Sequence, residues 1–130
     1  MKTALAALAL AATATPTIVM PPPGSALRKA VLNGLRPVIE KRLGLGVEFV
    51  ITVIRVQGEW AFVVADPQRK GGKPINGRRI FGEGFEEMNG LVIDAVLRKQ
   101  GGRWMVVDHT IGIDHVWYCD VGPASLKANC

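Results

Sequence analysis

Aromatic residues make up only 6% of this 130-residue chain, and it has just two cysteines and two serines. Each scarcity excludes something. With Ser25 and Ser125 as the only serines there is no Gly-x-Ser-x-Gly elbow, so acyl transfer through an activated serine has no seat. The most basic stretch, 69–79, contains no aromatic side chain on which an unpaired base could stack, which argues against single-stranded nucleic acid as a partner. No apolar run approaches the roughly 20 residues that a membrane-spanning helix needs. The chain is also too short for two independent cores. What it has in plenty is small aliphatic residues: 48% of the chain is hydrophobic, so the core is expected to be built from Val, Ile, Leu and Ala.

These apolar residues are unevenly placed. Met1-Lys2 precedes an Ala/Leu-rich run over 3–13, and Ala12-Thr13-Ala14 offers the small residues that signal peptidase accepts. Residues 1–14 are therefore expected to be a cleavable export signal, with no cysteine beside the cut to carry a lipid. Residues 15–24, with Pro16 and Pro21-Pro22-Pro23-Gly24, read as an extended spacer, because serial prolines neither propagate a helix nor donate to a sheet. Residues 25–130 remain as a single domain. An exported chain meets an oxidising compartment, periplasmic or extracellular, where Cys119 and Cys130 are expected to form a disulfide that staples the C-terminal tail. The formal net charge is +5; without Lys2, 15 basic residues stand against 11 acidic ones, a net +4. That excess suits an anionic surface without demanding nucleic acid.

The periodicity of the domain predicts an α+β fold. Ser25 is placed to cap a helix over 26–43, with Leu27, Ala30, Val31, Leu35 and Val38 on one stripe and Arg28, Lys29, Asn33 and Arg36 opposite. Pro37 is expected to kink it, which would bring Ile39 and Leu43 back to the core side, and Gly44 and Gly46 end it. Residues 47–57 form a β-branched strand that turns at Gly58-Glu59 into a return strand over 60–65. A second hairpin runs over 91–99 and 103–111 around Gly101-Gly102, and a last short strand is expected over 116–121. Between the hairpins, 66–90 is a glycine-rich connection without periodicity. The expectation is one N-terminal helix packed on a curved antiparallel sheet of four to five strands made from two hairpins.

This order of elements resembles the cystatin-like and nuclear-transport-factor-2-like α+β folds. The segments Gly58-Glu59-Trp60-Ala61-Phe62-Val63, Pro67-Gln68-Arg69-Lys70-Gly71-Gly72-Lys73-Pro74-Ile75 and Gly101-Gly102-Arg103-Trp104-Met105-Val106-Val107 are similar to small exported proteobacterial proteins of unassigned function. The resemblance implies no catalytic residues, since such folds carry enzymes, binders and inhibitors alike.

Candidate sites are few. Asp94 lies among apolar neighbours, facing with Val92 and Val96; lining a cavity it would serve as a general base or hydrogen-bond anchor with a raised pKa, and otherwise it would pair with Arg55 or Arg103. His109 is its candidate partner in proton transfer. Asp108-His109 and Asp114-His115 bring two imidazoles and two carboxylates close in sequence, but alternation sends strand neighbours to opposite faces, so no metal site is assigned. Arg69, Lys70, Lys73, Arg78 and Arg79, on a loop with exposed glycine amides, are candidates for anion binding; the spacing is not that of a P-loop. Phe81-Gly82-Glu83-Gly84-Phe85 reads as a mobile tip or as a loop tucked onto the core, and Trp60, Trp104 and Trp117 as packing or as a ligand grip.

Together these features predict an exported accessory protein that binds a small ligand, an anionic envelope polymer or another protein, with no cofactor. One alternative is a small cone-shaped α+β enzyme using Asp94 with His109. The other is an inhibitor of a protease or hydrolase that inserts hairpin turns or the 81–85 loop.

Overall fold

The computed structural model describes residues 16–130; the expected export signal over 1–14 lies outside the described residues. Five antiparallel strands lie in chain order: β1 (Ile18–Val19), β2 (Val47–Gln57), β3 (Trp60–Arg69), β4 (Ile93–Gln100) and β5 (Arg103–Ile111). Helix α1 (Ala26–Leu43) packs across one face, and a short helix α2 (Gly77–Phe81) sits in the long connection between β3 and β4. The fold is α+β.

The helix starts where its cap predicts. The Ser25 side chain accepts a hydrogen bond from the Arg28 amide at 3.2 Å, satisfying one of the orphan donors of the first turn. At its other end Gly44 takes a positive φ of 91° and its amide bonds to the Glu40 carbonyl, while Lys41 and Arg42 complement the negative end of the helix. The buried residues are Val31, Leu35, Ile39 and Leu43, spaced by four throughout, whereas Ala30 is exposed. Helical structure runs through Pro37 without a break, and the proline itself is exposed. A ridge of every fourth residue drifts slowly round the helix, and that is how a straight helix follows a twisted sheet; no kink is needed to recover Ile39 and Leu43.

Alternation along the strands splits the sheet into two faces. Ala61, Val63 and Ala65 of β3, Ile93, Ala95 and Leu97 of β4, and Trp104 and Ile111 of β5 join the helix residues in one buried core. Ile75, Phe81, Met88 and Leu91 from the long connection pack against the same core. Those segments form α2 and a 3-10 stretch, Gly82–Glu87, and so tuck Phe81 inward, with the Arg42 guanidinium above its ring. Strand β3 runs on through Pro67 to Arg69; β4 stops opposite Ala65, which leaves Pro67 at an open edge where proline is tolerated.

The other face is covered by the C-terminal segment. Phe62, Val96, Tyr118 and Leu126 form a second buried cluster there. The expected strand over 116–121 is absent: Tyr118–Asp120 and Ala124–Leu126 are 3-10 turns that fold back onto the sheet. The fifth strand comes instead from the segment expected to be a spacer. Ile18 pairs with Gln57 and Val19 with Val56, Pro21 is buried, and its carbonyl accepts from Arg28.

A cleft behind the sheet as the candidate functional site

A set of polar contacts holds the C-terminal segment against the second face. Arg55, pointing out of β2 on that side, donates through Nε to the Leu126 carbonyl at 2.7 Å and through Nη2 to Ser125. The Ser125 hydroxyl donates to Gln57 Oε1 at 2.9 Å. Lys127 is only 2% exposed, and its ammonium donates to the carbonyls of Val121 and Pro123. Burial pushes its pKa down, and the nearby Asp120 opposes that shift. Trp117 Nε1 donates to Thr110 Oγ1 at 2.8 Å, and the Tyr118 ring lies 4.6 Å from that of Phe62. Cys119 and Cys130 are joined by a disulfide, as expected, with Cα atoms 5.5 Å apart.

Between this segment and the end of β4 lies a cleft of about 300 Å³. Asp94 is in its lining, with Asp114, His115, Tyr118, Asn89 and Asn129 around it, and Val92, Ile113 and Val116 supply apolar surface. As a residue Asp94 is only 9% exposed. Neither of its expected partners reaches it: Arg55 is held by the tail carbonyls, and Arg103 is exposed at the far end of β5. Among the described residues Asp94 has no ion pair and no side-chain hydrogen bond, and no buried oxygen is left without a partner, so its oxygens open into the cleft. Burial raises its pKa above the ordinary 3.8.

Asp94 and His109 are not brought together. Near the turn Gln100 pairs with Arg103 and Leu97 with Val106, a register that would set Asp94 directly opposite His109 if it continued. A bulge between Val96 and Leu97 intervenes, so that Val96 faces Asp108 and Asp94 faces Thr110. One extra residue in β5 turns the His109 side chain to the helix face. There it sits beside Ala95, with its Nε2 3.5 Å from Arg42 Nη1. Burial and then Arg42 push its pKa down, against the opposing effect of Asp108. The imidazole that shares the cleft with Asp94 is His115, and the two histidines lie on opposite sides of the sheet. Asp94, Asp114 and His115 do not converge for coordination: among the described residues no three His, Cys, Asp or Glu side chains are grouped closely enough to hold a metal ion.

The basic loop is divided in its duties. Arg69 caps the C-terminus of α1, donating to the carbonyls of Leu43, Gly44 and Leu45, and Arg78 pairs with Glu86. Lys70, Lys73 and Arg79 are exposed. Trp104 is buried in the helix-side core, while Trp60 and Trp117 are half-buried against the second face. The sequence reading missed Asn129, Tyr118 and Lys127, because their positions depend on where the tail docks.

No protein family, curated protein or solved structure is similar enough to this chain to be matched with it. The geometry of the cleft therefore has to be read from its own residues.

The position of Asp94 has a measurable cost. Its folded-state pKa lies above its unfolded value, so ionised Asp94 penalises folding. The penalty is fully present above the folded pKa and disappears as the pH falls toward the ordinary value of 3.8. Asp94→Asn should therefore raise the melting temperature at pH 8, on the order of 3 °C, and change it little at pH 3. Thermal unfolding followed by circular dichroism at the two pH values decides this; an equal effect at both would contradict the burial argument.

Proposed function

We propose that the protein is exported and binds a small polar molecule in the cleft floored by Asp94. The observation that carries this reading is a largely buried aspartate with no ion pair, whose carboxylate opens into a concave site. Folding alone gives no reason to keep such a group, because an apolar residue in its place would be less costly. The lining is mostly polar, with Val92, Ile113 and Val116 as its apolar part, which suits a small polar molecule better than an apolar one. The Cys119–Cys130 bridge supports an extracytoplasmic setting, since such bonds persist in oxidising compartments. Among the described residues no helix is long and apolar enough to cross a membrane. Separation of Asp94 from His109 across the sheet weighs against an enzyme built on that pair.

Nuclear magnetic resonance mapping tests the site. The mature protein would be titrated with a panel of small amines, alcohols, carboxylates and phosphorylated compounds. Saturable shifts should fall on backbone amides of 89–94, 113–118 and 129. Shifts confined to the loop carrying Lys70, Lys73 and Arg79 would move the site to that loop and refute the cleft. Mass spectrometry of protein recovered from an envelope fraction should show loss of residues 1–14 and an oxidised pair of cysteines; a full-length chain there would refute processed export.

A further inference from the structure

We infer that the ligand of this cleft carries a cationic nitrogen, and that Asp94 is its counter-ion: the site takes a small alkylammonium compound. The inference rests on the cleft being a binding site, as proposed above, and adds the chemical class.

The charge of the lining is its first support. Two carboxylates, Asp94 and Asp114, line the cleft and no lysine or arginine does, although the chain as a whole is net +5. The nearby cations are committed elsewhere: Arg55 to the carbonyls of Ser125 and Leu126, Lys127 to those of Val121 and Pro123. A ligand carboxylate or phosphate would meet two like charges with only the His115 imidazole in the lining to set against them, an arrangement that disfavours such a partner. A neutral alcohol would cover Asp94 further from water and leave its charge unpaired.

An ammonium group reverses both penalties. It brings the missing positive charge to Asp94 and turns an unpartnered acceptor into a charge-assisted hydrogen bond. An ammonium has three donors and no acceptor. The side-chain carbonyls of Asn89 and Asn129 and the phenol oxygen of Tyr118 are further acceptors in the same lining. Val92, Ile113 and Val116 offer apolar surface for a short carbon stem. A volume of about 300 Å³ is at the small end of ligand sites, which suits a compact molecule rather than a polymer.

Three probes of equal stem and different head group test this: n-butylamine, butan-1-ol and butyrate, each titrated at pH 8 into the oxidised mature protein while the cleft amides are followed. Butylammonium should bind saturably at the cleft, at least tenfold tighter than butan-1-ol, and butyrate should not bind there. In Asp94→Asn, which keeps the shape and loses the charge, butylammonium should weaken at least tenfold while butan-1-ol is unchanged. Equal affinities for the amine and the alcohol, or tighter binding of butyrate, would overturn the cationic ligand and leave the cleft standing as a site. Failure of all three probes to move the cleft amides would overturn the inference together with the reading beneath it.

Discussion

Replacing Gly34 by alanine will destabilise the protein by about 3 kcal/mol, although in an exposed helix the same change is favourable. Two effects compete. Alanine restricts the unfolded chain and suits a helix better, a gain of about 1 kcal/mol. Against it, a Cβ at position 34 would stand 2.3 Å from the Trp104 carbonyl oxygen and 3.0 Å from its Cβ. Those atoms belong to the backbone of β5 and the root of a buried tryptophan, so nothing flexible can yield. The helix must lift away from the strand, and the buried neighbours Val31 and Leu35 lift with it. Urea denaturation measures the loss directly. The exposed neighbour Asn33→Ala is the control and should be neutral or slightly stabilising. If Gly34→Ala left the midpoint unchanged or raised it, the helix would not be in close contact with β5.

The second large effect lies behind the sheet. Replacing both Cys119 and Cys130 by serine should cost about 3 kcal/mol, the chain-entropy value for closing so short a loop. The bridged residues are 11 apart, and the loop starts inside the Tyr118–Asp120 turn and includes Lys127 and the Ala124–Leu126 turn, whose Leu126 covers Phe62 and Val96. The contacts of Arg55 with Leu126 and of Ser125 with Gln57 remain, so the tail should stay docked while its last residues loosen. Because Asn129 adjoins Cys130 and lines the cleft, the variant should also lose definition of the cleft wall, seen as line broadening of the 113–118 amides. A midpoint equal to that of the parent would show that the side-chain contacts alone hold the tail.

How far the fold could be read from the chain depended on how local each signal was. The helix bounds follow from Ser25 at one end and Gly44 at the other, and both act within a turn of themselves. The two hairpins are set by Gly58 and by Gly101-Gly102, flanked by runs of β-branched residues. The face occupied by Asp94 was equally legible, since alternation alone places it with Val92 and Val96. The side occupied by His109 was not. It depends on a single bulge near Val107, and no residue there announces one. Val116-Trp117-Tyr118 has the composition of a strand, yet it folds back over the second face instead of extending the sheet beside β5; there the Tyr118 ring packs against Phe62 and Trp117 donates to Thr110. Ile18-Val19, set between Pro16 and Pro21, is too short to show a period, and only its pairing with β2 makes it a strand.

The order of the sheet also decides the course of assembly. Each strand pairs with its neighbour in the chain, from β1 through β5; the β2–β3 and β4–β5 hairpins close through tight turns that cost little entropy, while α1 and the long connection separate the other pairs. Arg55 and Leu126, by contrast, meet across 71 residues. On that separation the face that holds the cleft is expected to be sealed after the hairpins form, and until then Phe62 and Val96 are open to any other apolar surface nearby. That interval is when aggregation competes with folding, and the tail that walls the cleft is also what brings it to an end.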